Sequence, residues 1–490
     1  MPPLVLGIDV GSTSTKVVLA EPSGAVLAQA SAPVELSSPH PGWAEADPVQ
    51  WWRNVCALVP RVLGTRAGDL AAVACTGMVP AVVLIDGAAR PLRPAILQND
   101  ARATSQITSL AQELADLDLV TATGSALTQQ SVAPTLAWLA AHEPQVWAQT
   151  KYVLGSYDWL AVALGAEPHV ERNWALESGL FSLADFSLMD RVLTAARITA
   201  GLLPPVAAPG TVIGEVSATV AAATGLLAGT PIVAGGADHV LSAYAAGLAR
   251  PGDWLVKLGG AGDILVVTGD VFVDARLYLD AHPRHGLWLP NGCMATSGSL
   301  IRWFQSVSGN LSVAELEEAA VTAEPASLIC LPYFLGEKSP LHDPDLRGAF
   351  VGLHLGHTRG DMYRAILEAI GYGFRQHAEI FGELGVKLEV ARVSNGGSKS
   401  RVWKQILADV LGVPLSPIQD HPGAALGAAL AAAVGAGLLA DWADAAPVTY
   451  GAPVEPDPAL ADRYTEAYQI YRDAGEALSS VSHRLARRTR

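Results

Sequence analysis

Charge is scarce in this chain of 490 residues: Asp, Glu, Lys and Arg make up 16% against 50% hydrophobic residues. That balance excludes a disordered or solvating role and requires large buried cores. Basic residues are the scarcer sign, with 32 Lys and Arg against 47 Asp and Glu and a net charge of −15. A general nucleic-acid surface is thereby excluded, while local anion sites remain open. Cysteine is rarer still. Cys56, Cys75, Cys293 and Cys330 lie far apart with no C-x-x-C spacing, which excludes a zinc cluster or a disulfide framework and leaves reduced, mostly buried thiols as the expectation. The N-terminus lacks a basic segment leading into an apolar core and cleavage site, so the expected location is the cytoplasm. One uncharged run, 423–440, is long enough to suggest a membrane span, but it is mostly Ala and Gly and reads as a closely packed buried helix.

What is present begins with "LVLGIDVGSTSTK" at 4–16. An apolar strand ends in a carboxylate, Asp9, and a turn follows in which Gly11 permits a tight bend. Ser12 and Thr13 offer hydroxyls and backbone N–H groups there, and Lys16 adds positive charge. A β-branched run then returns, so the unit reads strand, phosphate-facing turn, strand, or more plainly a hairpin with a polar tip. It is neither a P-loop nor a dinucleotide fingerprint, both of which lead into a helix. A third strand is expected over 25–30, and Asp47-Pro48 reads as the cap and first residue of a helix with Trp51 on its apolar face. Strands are expected over 71–75 and 81–85 around "TGMVP", and "ILQNDAR" at 96–102 ends an apolar stretch in polar groups.

The segment 103–200 is helical in pattern, with Trp138, Trp147 and Trp159 read as core and the polar runs "TQQS" and "ERNW" interrupting it. In "PIVAGGADHVLSAYAAGL" a strand is expected through Ala234, then a Gly235-Gly236 turn, Asp238 and an Ala-rich helix. Asp238 could be a helix cap or a base. Pro251-Gly252 marks a candidate boundary, after which "WLVKLGGAGDILVVTGD" repeats the opening outline of strand, Gly-rich turn, strand. Helices follow over 295–304 and 359–381, and "ARVSNGGSKSRVWKQILADVLG" reads as strand, Gly396-Gly397 turn, helix. His282, His285, His354 and His357 lack companion ligands and read as surface or loop histidines. The tail 457–490 reads as an exposed polar helix.

Taken in order, "GIDVGSTSTK", "GWAEADPVQWW", "ILQNDAR", "GGADH", "LPYFLGEKSP", "GAFVGLHLGHTRGDMYRAILE", "NGGSKSRVWKQILADVLGVPL" and "GAALGAA" resemble the FGGY carbohydrate kinases, most closely the xylulokinase-like members, over nearly the whole length. The resemblance implies an α/β fold of two actin-like ATPase (ribonuclease H-like) domains around a central cleft. It places residues 1–246 in a sugar-binding domain that carries the base and 247–490 in a nucleotide-binding domain. It implies ATP-dependent phosphorylation of a hydroxyl of a small ketose, D-xylulose or a related pentulose. The alternatives are a polyol (glycerol, tetritol or pentitol) kinase, a non-catalytic sugar or nucleotide sensor, or a chaperone-type ATPase. ATP and Mg²⁺ are the implied cofactors, and the expected partners are ATP and a small sugar or polyol in a homodimer, without nucleic acid or membrane.

By position the resemblance makes Asp238 the catalytic base and Asp9 the carboxylate that organises Mg²⁺. Gly11, Ser12, Thr13 and Lys16 match the first phosphate loop, Gly259, Gly260 and Ala261 the second, and Gly396, Gly397 and Ser398 the loop near adenosine. Met78, Gln98, Asp100 and His239 fall at the acceptor. The departures concern substrate. A Met-His-Gly segment is replaced by Met78-Val79-Pro80, a Trp by Gln98, and the Asn after the base by His239. Loss of a polar group from the sugar wall implies a preference moved from D-xylulose toward a related pentulose or polyol, with residual xylulose activity.

Overall fold

In the computed structural model, which describes residues 3–419, 423–444 and 448–489, the chain divides into two units. One comprises residues 1–249, 273–289 and 422–447, and the other 250–272, 290–421 and 448–490. Within the first, Leu4–Val10 pairs antiparallel with Ser14–Ala20, which pairs antiparallel with Val26–Pro33. The strand Leu70–Gly77 then joins parallel to Leu4–Val10, and Pro231–Ala237 joins parallel to Leu70–Gly77. Val212–Glu215 closes that edge antiparallel. Leu6, Ile8, Val17, Val73 and Ile232 are buried, as strands covered on both faces require.

The second unit repeats this plan. Its sheet runs in the order Trp288–Met294, Gly262–Val266, Trp254–Leu258, Ala391–Ser394, Leu415–Pro417, with an antiparallel meander first and two parallel strands after it. Each unit therefore places its first strand centrally, its hairpin partner on one side and its later parallel strands on the other. That is the doubled ribonuclease H-like arrangement implied by the resemblance.

The helix Pro48–Leu63 starts where the sequence indicates: Asp47 caps it by accepting from the Val49 N–H, and Trp51 is buried. The uncharged run forms a 12-residue helix, Ala424–Gly435, with Ala424 to Ala433 buried against the first unit's sheet. No helix among the described residues is long and apolar enough to cross a membrane. Small residues make this packing possible. A Cβ on Gly7 would lie 1.9 Å from the Ala425 carbonyl oxygen, and one on Gly427 2.2 Å from that of Leu241.

Four local expectations differ from the structure. Gly235 and Gly236 do not turn but lie within the strand Pro231–Ala237; Gly235 is needed because a Cβ would lie 1.7 Å from the Cys75 carbonyl oxygen of the neighbouring strand. Trp147 is only half-buried, whereas Trp138 and Trp159 are core. His282 is buried, its Nε2 2.9 Å from the Leu248 carbonyl oxygen. The tail helix Ala461–Thr489 is not merely surface: Tyr464, Tyr468 and Tyr471 are buried around Tyr372. Residue 490 lies outside the described residues.

Candidate active site

In the first unit the three parallel strands end side by side, and each delivers a polar or turn element. Asp9 sits one residue before the end of Leu4–Val10, Met78 directly follows Leu70–Gly77, and Asp238 directly follows Pro231–Ala237. The registers place Asp9 level with Thr76, and Thr76 level with Gly236. Ligands meet parallel sheets at these carboxyl ends, where side chains leave the strands and helices begin. The Met78 N–H donates to the Val10 carbonyl at 3.1 Å, and the Thr76 hydroxyl donates to the Gly236 carbonyl at 2.6 Å, so the three ends are tied together. The turn is closed by the Gly11 N–H donating to the Ser14 carbonyl. Ser12 is half-buried and Thr13 exposed. Lys16 pairs in register with Asp9 across the hairpin; desolvation holds its ammonium below the usual lysine range, with Asp9 pulling the other way.

Asp238 opens the helix Asp238–Ala245, and its side chain is 35% exposed. Beside it lie two carboxylates that are far more buried, Asp280 at 1% and Glu177 at 8%. His239 stands among the three. Its Nε2 is 2.6 Å from Asp280 Oδ2 and 4.0 Å from Glu177 Oε1, its Nδ1 is 3.5 Å from Asp238 Oδ1, and its backbone N–H donates to Asp238 Oδ1 at 2.6 Å. Burial opposes charge on this imidazole, but Asp280 foremost, then hydrogen bonds to Asp238 and Asp280, hold it well above the usual histidine range. Burial raises Glu177 well above the usual carboxylate range, with Asp280 adding to the effect and His239 opposing it. The "ERNW" run sets this geometry. Asn173 clamps the backbone of Ala281 from both sides, donating to its carbonyl at 3.0 Å and accepting from its N–H at 2.7 Å, which fixes Asp280 against the short helix Arg172–Glu177.

Two donor sets bear on a divalent cation. Asp9, with the hydroxyls of the adjoining turn, offers only oxygen, which suits Mg²⁺. Glu177, His239 and Asp280 have ligand atoms within 4.8 Å of one another. Yet the 2.6 Å nitrogen–oxygen separation is shorter than the roughly 3 Å between neighbouring ligands of an octahedral Mg²⁺ with bonds of about 2.1 Å. A proton, and not a metal, fits between those atoms.

The expected acceptor residues divide into two kinds. The Gln98 Oε1 is buried with no hydrogen-bond partner, so it has an acceptor position to offer. Asp100 has none: Oδ1 accepts from the N–H and Nε of Arg102, and Oδ2 accepts from the Ala44 N–H and Arg102 Nη2. Arg102 is in turn stacked 3.7 Å from the Trp43 ring centroid and bonded to Glu45. Asp100 thus builds the wall that carries Gln98. Met78 is buried, its carbonyl accepting from the Ser156 hydroxyl.

In the second unit the two glycine turns follow adjacent parallel strands, Trp254–Leu258 and Ala391–Ser394. The carbonyls of Gly259 and Gly260 accept from the Gly298, Ser297 and Ser299 N–H groups at the start of the helix Gly298–Val307, which leaves peptide N–H groups as this turn's free polar edge. Asn395 adopts a left-handed φ of 70°, and its amide lies 3.3 Å from where a Cβ on Gly259 would stand. The Ser398 hydroxyl donates to the Asn395 carbonyl and closes the turn. A Cβ on Gly396 would meet nothing within 4 Å, whereas one on Gly397 would lie 2.4 Å from the Trp403 ring and 2.6 Å from Leu258. Gly396 faces open space and Gly397 faces the core.

Sequence reasoning passed over Glu177, Asp280 and Arg302. The exposed Arg302 guanidinium lies 3.2 Å from the Cβ position of Gly260. The arginine in "SLIRWF" was readable as a charge on an otherwise apolar helix, but nothing in its spacing tied it to a turn 42 residues earlier. A cavity of about 590 Å³ between Arg250, Lys387 and Arg392 opens at the opposite, starting ends of these strands. Its most buried cation, Arg392, is already paired with Asp253 at 2.8 Å.

The family model for the N-terminal domain of the FGGY family of carbohydrate kinases matches residues 4–245, and the model for the C-terminal domain matches 270–436. Among curated relatives, a xylulose kinase of Escherichia coli (strain K12) is 29% identical over 440 residues, covering 88% of this chain and 90% of that protein. An L-xylulose/3-keto-L-gulonate kinase of the same strain is 30% identical over 506 residues, covering 99% of each. The crystal structure of a xylulose kinase from Rhodospirillum rubrum superposes with a TM-score of 0.90 at 41% identity, over 98% of this chain and 100% of that one.

Proposed function

Since the chain belongs to the FGGY family of carbohydrate kinases and is a sugar phosphotransferase, we propose that its reaction is transfer of the γ-phosphoryl group of ATP to a hydroxyl of a ketopentose, with D-xylulose or a closely related pentulose as acceptor. The observation that carries this reading is the contrast in exposure among the clustered carboxylates: only Asp238, at the end of a central parallel strand, is open to an incoming hydroxyl.

A sugar hydroxyl is a weak nucleophile at neutral pH, and Asp238 accepts its proton as the oxygen attacks phosphorus. Gln98 supplies a buried acceptor for a second hydroxyl, and the Asp100–Arg102–Trp43 stack keeps that side chain in place. Met78 contributes an apolar surface. Each unit has its own phosphate-facing group: Gly11, Ser12, Thr13 and Lys16 in the first and Gly259, Gly260 and Arg302 in the second supply N–H groups, hydroxyls and positive charge for phosphate oxygens. Gly396 and Ser398 lie at the adenosine. Asp9 would hold Mg²⁺, which when bound neutralises phosphate charge.

The xylulose-named relatives support a pentulose, whereas Met78-Val79-Pro80 lacks a polar side chain and argues for a shift within that class. Measuring ATP consumption with D-xylulose, L-xylulose, the ribuloses, glycerol, tetritols and pentitols decides between them. A ketopentulose is expected to give the highest kcat/KM. A polyol turned over faster than every pentulose would overturn the assignment.

A further inference from the structure

The groups around His239 have a consequence for the base beside it. A neutral imidazole carries one N–H and one bare lone pair. Here Nε2 faces Asp280 at 2.6 Å and Glu177 at 4.0 Å, while Nδ1 faces Asp238 at 3.5 Å. Ionised carboxylates only accept hydrogen bonds, so either neutral tautomer would set a lone pair against a carboxylate oxygen. The Glu177 Oε1 is buried with no hydrogen-bond partner of its own. We propose that Asp280 is a positioning residue for the phosphoryl transfer, anchoring His239 as a fixed cation against the Asp238 carboxylate. This rests on reading Asp238 as the base.

The cation's effect follows from its range: an opposite charge within about 4–6 Å favours the ionised, proton-accepting form of a carboxylate. Without it the nearest charged neighbour of Asp238 in the cluster would be the buried Asp280 carboxylate. The further charged groups near the cluster are Glu171, which adds to the repulsion at Glu177, and Arg172 on the same short helix, whose guanidinium stacks 5.1 Å from the Phe186 ring. Among the described residues the ion-pair partners of His239 are all carboxylates, and its imidazole brings positive charge to within 3.5 Å of Asp238. His239 also restores, from the helix side, a polar group next to the acceptor where Met78-Val79-Pro80 supplies none.

The test is the pH dependence of kcat/KM for the best pentulose in wild type, His239→Gln, Asp280→Asn and the double variant. The acidic limb is expected to move upward in each single variant, and the double variant is expected to move no further than the larger single shift, because both remove one charge. Limbs coincident with wild type, in variants with unchanged melting temperatures, overturn the proposal. Should Asp280→Asn fail to fold, ¹⁵N-histidine NMR carries the same decision, with the His239 signal identified by its loss in His239→Gln. Both ring nitrogens are expected to be protonated at about pH 7.5, above the ordinary histidine range, and a neutral tautomer there overturns the proposal. Asp238→Asn is assayed alongside. Near-normal turnover in that variant removes the base assignment itself, whereas an inactive Asp238→Asn with unshifted limbs elsewhere removes only the role of the cation.

Discussion

At the residue scale, two neighbouring glycines face opposite ways, one into open space and one into the core. A side chain at Gly396 meets no protein atom within 4 Å, while one at Gly397 overlaps Trp403 and Leu258. Gly396→Val is therefore expected to weaken ATP binding at least about tenfold with an unchanged melting temperature, as roughly 1.4 kcal/mol of lost contact or new overlap would produce. Gly397→Ala should instead lower the melting temperature. Calorimetric titration with ATP and a thermal melt on each variant check both. If Gly396→Val bound ATP as wild type does, the adenosine loop would lie elsewhere. Asp238, Asp9 and both glycine turns were legible in the sequence because an acidic or Gly-rich group interrupting an apolar strand is locally conspicuous. Glu177 and Asp280 were not, since they reach His239 from positions 62 residues before it and 41 after it and show only ordinary acidic residues in ordinary contexts.

At the scale of elements, close approach explains where the sequence could be misread. The Gly235-Gly236 pair looked like a turn because glycine permits turns, yet it is there to let Pro231–Ala237 lie against the backbone of Leu70–Gly77. The helix Ala424–Gly435 approaches Leu4–Val10 so closely that Gly7→Ala forces backbone apart. It is expected to cost about 3 kcal/mol or more, lowering the melting temperature by roughly 6–12 °C in a unit of this size. Gly68→Ala, where a Cβ meets nothing within 4 Å, should leave it nearly unchanged. Equal effects in a thermal melt would contradict the packing account.

A second element-scale prediction concerns pH. His377, inside the helix Arg359–Glu383, has one ring nitrogen 2.8 Å from the Gly373 carbonyl and the other 2.8 Å from the Ser339 hydroxyl, and burial pushes it down to about 4. Between about pH 4 and the unfolded histidine value near 6.5 the unfolded chain binds the extra proton, so this group's contribution is whole above 6.5 and is lost as pH falls. Glu337, which burial raises to about 7, has the opposite slope. A direct comparison of wild type with His377→Gln cancels it. The stability deficit of the variant is expected to shrink by on the order of 3 kcal/mol from pH 6.5 to pH 4. A pH-independent deficit in urea melts would show that His377 is not held neutral.

At the scale of the whole chain, the repeated sheet plan was visible as two copies of strand, glycine turn, strand, and the return of residues 422–447 to the first unit was not. A uniform Ala and Gly helix carries no pattern that says which sheet it covers. The central claim is that this molecule is a carbohydrate kinase whose base is Asp238, and the most direct measurement follows the phosphoryl group itself. With γ-³²P-ATP, Mg²⁺ and D-xylulose or the best pentulose of the panel, wild type is expected to place the label on the sugar. Asp238→Asn, folded and still binding ATP, should do so about 10² to 10⁴ times more slowly. Label released only as inorganic phosphate regardless of sugar, or transferred at a near wild-type rate by Asp238→Asn, would contradict the account.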